Sequence, residues 1–184
     1  MFYIDTFYKF HYIFIIPIKK IKFLKKKLYN IIPIKWQIIL MNEGSLTEIL
    51  HFLNNQNIQI KIFQENHAIC IHNNTNRNIR CIWLKSSLCT NLIFAKSLWK
   101  FQYIDKIEYE LQSNKPLGKS LIESQTDIYK EIHEIYYGYS EYLQCKFKTN
   151  HGIWGRKYTL YYKNKASITV QEFFSPDIIN LCNK

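Results

Sequence analysis

The chain has 184 residues, which as a prior corresponds to one domain. Its apolar fraction of 47% and aromatic fraction of 16% exclude a disordered chain, and the excess of Ile, Lys and Asn follows from A/T-rich codons. A net charge of +11 would by itself favour a nucleic acid or an anionic membrane as partner. However, residues 1–40 carry a net +7 and residues 41–184 only +4, so the basic excess belongs mostly to the N-terminal segment.

Residues 1–30 form a basic, aromatic leader. Its apolar run at 14–18 is far shorter than the ~20 residues of a membrane-spanning helix. Lysines follow that run directly, which is the wrong order for a secretory signal. The leader is either a segment that lies on an anionic membrane surface or a disordered or mis-started extension, with Met41 as an internal start. We favour the second interpretation and predict one folded domain over residues 31–184.

The cysteines and histidines carry no metal or disulfide signal. Five Cys occur without a C-x-x-C pair, and six His are scattered without the spacing of ligands. The sequence also has neither a phosphate-binding glycine loop nor a G-x-S-x-G motif. We therefore predict a site that works without a metal or a nucleotide cofactor.

The first predicted element is a helix. Ser45 and Glu48 have the spacing of a capping box, and Asn54-Asn55 marks the end of the helix. Its apolar residues recur at helical spacing: Leu46, Ile49, Leu50 and Leu53. Strands are predicted next at 58–62, 79–84 and 92–95, with a polar turn at 72–78.

Helices and a hairpin are predicted in the second half. Residues 105–112 and 117–123 favour short helices, and 128–147 is ambiguous because isoleucines at helical spacing precede a tyrosine cluster typical of strands. Residues 158–162 and 168–174 predict a hairpin that turns at 163–165. Four to six strands with short connections indicate an α+β fold with a single antiparallel sheet of about six strands.

Glu172 breaks the strand pattern of the last predicted strand. Ile168, Val170 and Phe174 share its face, so we expect the carboxylate to point into the core. A buried carboxylate is unfavourable unless it is paired, and such groups concentrate at functional sites. The alternative is an edge strand from which Glu172 reaches solvent.

Three cations occupy comparable settings. Arg80 lies in an apolar strand of a chain that uses Lys over Arg by twenty-two to three, which indicates a need for the planar, bidentate guanidinium. Arg156 begins the hairpin, and Lys96 lies on an otherwise apolar strand face. With Glu172 they would suit a small anion that bears a hydroxyl group. The structural alternatives are an internal ion pair, for instance Arg80 with Glu172, and a lysine that snorkels at a sheet edge.

Four segments, in this order, resemble the chorismate pyruvate-lyase family. Residues 44–47 (Gly-Ser-Leu-Thr) are similar to the start of its first core helix, and residues 80–84 (Arg-Cys-Ile-Trp-Leu) to its arginine strand. Residues 116–121 (Pro-Leu-Gly-Lys-Ser-Leu) resemble its P-L-G segment. Residues 153–157 (Ile-Trp-Gly-Arg-Lys) and 169–176 (Thr-Val-Gln-Glu-Phe-Phe-Ser-Pro) resemble its C-terminal signature. The resemblance covers about residues 31–176 and points to the plastid-encoded branch of red algae, which would explain the composition.

The resemblance implies both a fold and an activity. Family members cleave chorismate to 4-hydroxybenzoate and pyruvate without metal or cofactor, on an antiparallel sheet whose helices cover a buried ligand pocket. For this chain it implies a plastid lyase that feeds quinone ring synthesis. We expect a monomer that acts on a small-molecule substrate, with no nucleic-acid partner and no stable membrane span.

The resemblance also implies roles for particular residues. Arg80 would grip a substrate carboxylate and Glu172 would contact the ring hydroxyl, so these two are the expected catalytic residues. The backbones of Leu46 and Leu117 would help to hold the ligand. The complete expected substrate-binding set is Leu46, Arg80, Lys96, Leu117, Arg156 and Glu172.

Two departures from the family bear on the substrate. Lys96 stands near the position of a second arginine in the bacterial members, and the segment at 127–149 is longer than theirs. The alternative function is therefore a non-catalytic protein of the same fold that binds a small aromatic acid. A nucleic-acid binder that acts through the basic surface is a further rival, which the charge of only +4 over residues 41–184 disfavours.

Overall fold

The structure, a computed structural model, describes residues 10–21, 31–54, 58–70, 75–86, 90–101, 128–162 and 165–181. Its strands are β1 (His11–Pro17), β2 (Gln59–Cys70), β3 (Thr75–Lys85), β4 (Asn91–Phe101), β5 (Ile128–Tyr139), β6 (Ile153–Tyr162) and β7 (Lys165–Phe174). Its helices are α1 (Ile18–Ile21), α2 (Ile34–Leu40), α3 (Leu46–Asn54), α4 (Glu141–Phe147) and α5 (Ile178–Leu181). The strands of these ranges form one seven-stranded antiparallel sheet in the order β1-β5-β6-β7-β4-β3-β2, which confirms the predicted α+β class.

The seventh strand, β1, comes from the leader. It pairs with β5 along its whole length. Gly138 of β5 permits this close approach, because a Cβ there would overlap the main chain of His11. Ile16 is buried, and the Phe14 ring lies 5.5 Å from the ring of Trp154. Residues 11–17 are therefore not disordered, since this apolar part of the leader adds a strand to the sheet.

The helix α3 begins and ends where the sequence predicts. The Glu48 amide donates to Ser45 Oγ at 3.3 Å, so Ser45 caps the helix start. The helix ends at Asn54. The structure resolves the ambiguity at 128–147, since this segment forms a strand and then a helix, β5 and α4.

The first hairpin has other bounds than predicted, and two predicted helices cannot be compared with the structure. The first hairpin has longer strands than expected, so the predicted turn at 72–78 overlaps the start of β3. The reason is that polar residues such as Asn76 and Asn78 continue the ladder, which is built from backbone groups. The helices predicted at 105–112 and 117–123 lie outside the described residues.

Different helices cover the two faces of the sheet. We call the face that bears Ile93, Trp154 and Phe174 the front face and its opposite the back face. Helices α2 and α3 pack on the front face through buried apolar residues: Trp36, Ile39, Leu40, Leu46 and Leu50. On the back face, α4 packs Leu143 and Phe147 against aromatic residues of the sheet. In the part of the chain that the structure describes, no helix is both long and apolar enough to cross a membrane.

Candidate functional site

The strand register brings three of the predicted site residues onto the front face. Arg156 lies directly opposite Glu172 across β6 and β7, and Glu172 lies opposite Ala95 across β7 and β4. Arg80 lies opposite Ser97, two positions along β4 from Ala95. Directly opposed residues of antiparallel strands share a face, and so do residues two apart in one strand. Arg80, Arg156 and Glu172 therefore project from the same side of the sheet.

Glu172 is buried in the middle of the sheet. Its exposed fraction is 6%, and β7 lies between β6 and β4, so the edge-strand alternative is wrong. Arg156 Nε donates to Glu172 Oε2 at 2.7 Å, and the Tyr158 hydroxyl donates to Oε1 at 3.0 Å. The ion-pair partner of Glu172 is thus Arg156 and not Arg80. A carboxylate has about four lone-pair positions, so Glu172 can accept a further hydrogen bond.

Arg156 links the sheet to the end of α2. Its side chain is fully buried, and Nη1 donates to the carbonyl oxygens of Ile39, Leu40 and Asn42 at 3.1, 3.2 and 2.8 Å. Carbonyl groups at a helix C-terminus have no partner within the helix and favour a cation. Nη2 is also buried and has no hydrogen-bond partner among the described residues. One guanidinium therefore fixes both Glu172 and the connection between α2 and α3.

Lys130 and Tyr158 extend this network, and the sequence analysis missed both. Lys130 Nζ lies 4.5 Å from the centroid of the Tyr158 ring and donates to the carbonyl of Gly44 at 3.1 Å. Burial, reinforced by the Arg156 guanidinium and opposed by the Glu172 carboxylate, lowers the pKa of Lys130 to about 8. Burial, reinforced by Glu172, raises the pKa of the Tyr158 phenol, which keeps the hydroxyl protonated as a donor. One sequence signal could have identified Lys130: it stands between Ile128 and Ile132 on the apolar side of β5.

Between Arg80 and Glu172, β4 presents small side chains to the front face. These are Ser97 and Ala95. Standard strand spacing puts the Cα atoms of Arg80 and Glu172 about 12 Å apart, two strands across and two residues along. The Trp99 indole N–H donates to Ser97 Oγ at 2.6 Å and so borders this area on one side. Two long polar side chains flanking two small ones are suited to a ring-sized ligand.

Lys96 does not join this group. It lies opposite Cys81 in β3 and Gln171 in β7, so it projects from the back face. The expected set of four charged residues is therefore not brought together, because alternation along β4 separates Lys96 from the other three by the thickness of the sheet. The edge-snorkelling alternative fails too, since β4 is an interior strand. Burial lowers the pKa of Lys96, and the Cys81 thiol beside it opposes that shift.

Of the two remaining predicted positions, the structure describes one. Leu46 is buried at the start of α3, one residue after the Ser45 cap. Leu117 lies outside the described residues. Among the residues that are described, no group of three or more His, Cys, Asp or Glu is placed to hold a metal ion.

Comparison with known proteins identifies the family. Residues 40–182 match the family model described as chorismate pyruvate-lyase Rv2949c-like. The chain belongs to this family. The match to the chorismate pyruvate-lyase Rv2949c-like model includes Arg80, Arg156 and Glu172, whereas β1 and nearly all of α2 precede it.

Relatives from algae are similar over most of the chain. The protein named uncharacterized protein ycf21 of Antithamnion sp. is 42% identical over 157 residues, which cover 83% of the chain and 84% of the relative. The proteins of that name from Porphyra purpurea and Pyropia yezoensis are 37% and 33% identical, each over 81% of the chain and 85% of the relative. These genes are plastid-encoded in red algae and Cyanophora, which confirms the predicted plastid location.

Solved structures are more distantly similar. The possible transcriptional regulator YydK from Bacillus subtilis has a TM-score of 0.49 and 9% identity, over 66% of this chain and 59% of that chain. The ligand-binding domain of a putative GntR-family transcriptional regulator from Bordetella bronchiseptica has a TM-score of 0.48 and 8% identity, over 66% of this chain and 85% of that chain.

Proposed function

We propose that the protein is a lyase that cleaves chorismate to 4-hydroxybenzoate and pyruvate. The observation that carries the proposal is the placement of Arg80 and Glu172, both buried on the front face on either side of Ala95 and Ser97. Membership of a family described as chorismate pyruvate-lyase Rv2949c-like supports it.

Each residue of the front-face group has a chemical role in this proposal. Arg80 binds a substrate carboxylate, for which a guanidinium offers two parallel donors. Glu172 accepts a hydrogen bond from the ring hydroxyl and assists removal of a proton. Arg156 is a positioning residue that holds the Glu172 carboxylate through Nε. Its buried Nη2 donor would be satisfied by a substrate oxygen, as buried donors usually are. The backbone of Leu46 would contact the ligand from α3.

The proposed reaction suits a site built from these groups. The bond between a ring carbon and the ether oxygen breaks, and the neighbouring ring carbon, which bears the hydroxyl, loses its proton. The leaving enolpyruvate gains a proton at its methylene carbon and becomes pyruvate. Since aromatisation of the ring favours this elimination, the protein has chiefly to orient a dianion and stabilise developing charge. Arg80 and Lys130 supply positive charge for that purpose.

A pyruvate-release assay tests the proposal. The sample is the full chain, because removal of the leader would delete β1. Wild-type protein incubated with chorismate is expected to release pyruvate and 4-hydroxybenzoate in equal amounts, and Arg80→Ala is expected to abolish measurable turnover. Lys96→Met is the matched control, since Lys96 is a cation on a neighbouring strand of the sheet but on the back face, and it should retain turnover.

Two outcomes would contradict the lyase assignment. Near-normal product release by Arg80→Ala would remove Arg80 from the mechanism. A folded wild-type chain that binds 4-hydroxybenzoate in calorimetry but releases no pyruvate would identify a non-catalytic binder of aromatic acids instead.

A further inference from the structure

Helix α2 has apolar side chains on its inner and on its outer side, with Lys35 and Gln37 as its polar residues. Its inner side packs Trp36, Ile39 and Leu40 into the core. On its outer side, Ile34 and Ile38 are 58% and 65% exposed. Ile31 and Met41, also partly exposed, continue this line at both ends: the outer stripe is Ile31, Ile34, Ile38 and Met41. Neighbouring exposed apolar side chains on one side of a helix that already packs its other side into the core are a candidate docking surface.

Exposed lysines lie on α1, on the same face of the sheet as the outer stripe. Lys19 and Lys20 are exposed on α1, which immediately follows β1. The α1 residue Ile18 packs against the same core cluster as Ile32 and Trp36, so α1 and α2 cover the same face of the sheet. Residues 1–40 contain eight Lys and a single acidic residue, Asp5. The apolar stripe thus lies within a segment of strongly positive charge.

We propose that the outer stripe of α2 docks onto an anionic lipid bilayer. Helices that lie in a bilayer interface have an apolar side that enters about 5–10 Å and lysines that bind anionic headgroups. Each lysine near such a surface strengthens binding by about fivefold. A protein partner would be expected to meet a surface of mixed charge, whereas this segment is almost free of acids. The proposal does not rest on the proposed lyase activity, because Ile34 and Ile38 lie on the exposed side of α2 and the vesicle test does not measure turnover.

Sedimentation with vesicles tests the proposal on the full chain. The vesicles are an equimolar mixture of phosphatidylcholine and phosphatidylglycerol, compared with phosphatidylcholine alone. Wild-type protein is expected to bind the anionic vesicles and to bind neutral ones at least tenfold more weakly. The double variant Ile34→Gln, Ile38→Gln should lose most of this binding, because it removes the apolar stripe while keeping good helix formers. Lys19→Gln with Lys20→Gln should weaken it about twenty-five-fold.

A matched control separates docking from general surface hydrophobicity. Tyr129 is 65% exposed, like Ile38, but it follows Ile128 and precedes Lys130 on β5 and therefore projects from the back face. Tyr129→Gln should bind anionic vesicles as the wild type does, and a thermal melt checks that all variants are folded. Binding that is equal in the α2 double variant and the wild type would overturn the proposal. So would a wild-type dimer, seen by sedimentation, that the α2 double variant dissociates while vesicles bind neither protein.

Discussion

The Arg156 guanidinium binds the Glu172 carboxylate at 2.7 Å with one edge and the final carbonyl groups of α2 with Nη1. The two residues stand directly opposite each other in adjacent strands. A buried carboxylate on the sheet is therefore coupled to the position of a helix that covers it. A change in the position of Glu172 would therefore be felt by the group that anchors α2.

Loss of Arg156 is expected to destabilise the fold strongly. Arg156→Met leaves Glu172 buried without its cation and the α2 carbonyl groups without their donor. Breaking one partner of a buried ion pair costs about 3–5 kcal/mol, and we expect the free energy of unfolding, measured by urea titration, to fall by that amount. Arg156→Met combined with Glu172→Met should recover part of the loss, since no charge then stays buried alone. A double variant as unstable as the single one would contradict this account.

Lys130 gives the stability a pH dependence that can be assigned to one residue. Its pKa is about 8 in the folded protein, against 10.5 for an ordinary lysine. Between these values the unfolded chain binds more protons than the folded one, so stability rises with pH. The burial penalty of the ammonium group is present in full below about pH 8 and is lost as the pH approaches 10.5.

A comparison with Lys130→Met isolates this effect. The free energy of unfolding of the wild type, minus that of the variant, should be constant below about pH 8 and should then increase towards pH 10.5. Groups common to both proteins cancel in the difference. A difference that stays constant over the whole range would show that Lys130 is not desolvated in the folded protein.

Local patterns predicted most of the fold. The capping spacing of Ser45 and Glu48 fixed the start of α3, because a cap is a contact between neighbouring residues. Strand alternation also predicted the inward position of Glu172. The strand β1 was not predicted because it is held by a strand that is distant in the sequence. Gly138 of β5 leaves room for β1, and the residues of the leader do not indicate this.

The candidate site was predicted only in part, for a similar reason. The sequence singled out Arg80, Arg156 and Glu172 as unusual, but register alone decides which residues share a face. Successive residues of a strand point to opposite faces, so an error of one position places a residue on the wrong face. Lys96 was predicted to act together with Arg80, Arg156 and Glu172, but it lies on the back face. Lys130 was overlooked because a lysine in a lysine-rich chain attracts no notice until its burial is known.

Gly155 is expected to be indispensable for packing of the back face. A Cβ at this position would overlap the Tyr136 ring and lie 2.6 Å from the carbonyl oxygen of Glu172. Overpacking of this kind costs about 1–3 kcal/mol, so Gly155→Ala should lower the free energy of unfolding by at least this amount. Gly44→Ala is the control, since its Cβ would meet only the Asn42 side chain at 3.3 Å. Equal effects of the two substitutions would contradict the packing argument.

A chain that starts at Met41 is expected not to fold. It would lack β1 and α2, and with them five buried side chains: Ile16, Ile32, Trp36, Ile39 and Leu40. Burial of each is worth about 1.5–3 kcal/mol, and the sum is comparable with the whole stability of a typical domain, about 5–15 kcal/mol. The shortened chain should show no cooperative transition in urea and no near-ultraviolet circular dichroism. A cooperative transition like that of the full chain would show that residues 1–40 are dispensable.

Ala95 distinguishes a ligand site from ordinary core packing. If the area between Arg80 and Glu172 holds a ligand, Ala95→Val places two methyl groups in unoccupied space, and the free energy of unfolding should change by less than about 1 kcal/mol. The affinity for 4-hydroxybenzoate, measured by calorimetry, should fall at least tenfold, whereas Lys96→Met on the back face should leave it unchanged. If the area is instead filled by protein atoms, the added volume will cost about 1–3 kcal/mol and leave the affinity as it was. The two measurements together therefore decide whether the small residues of β4 form the floor of the site.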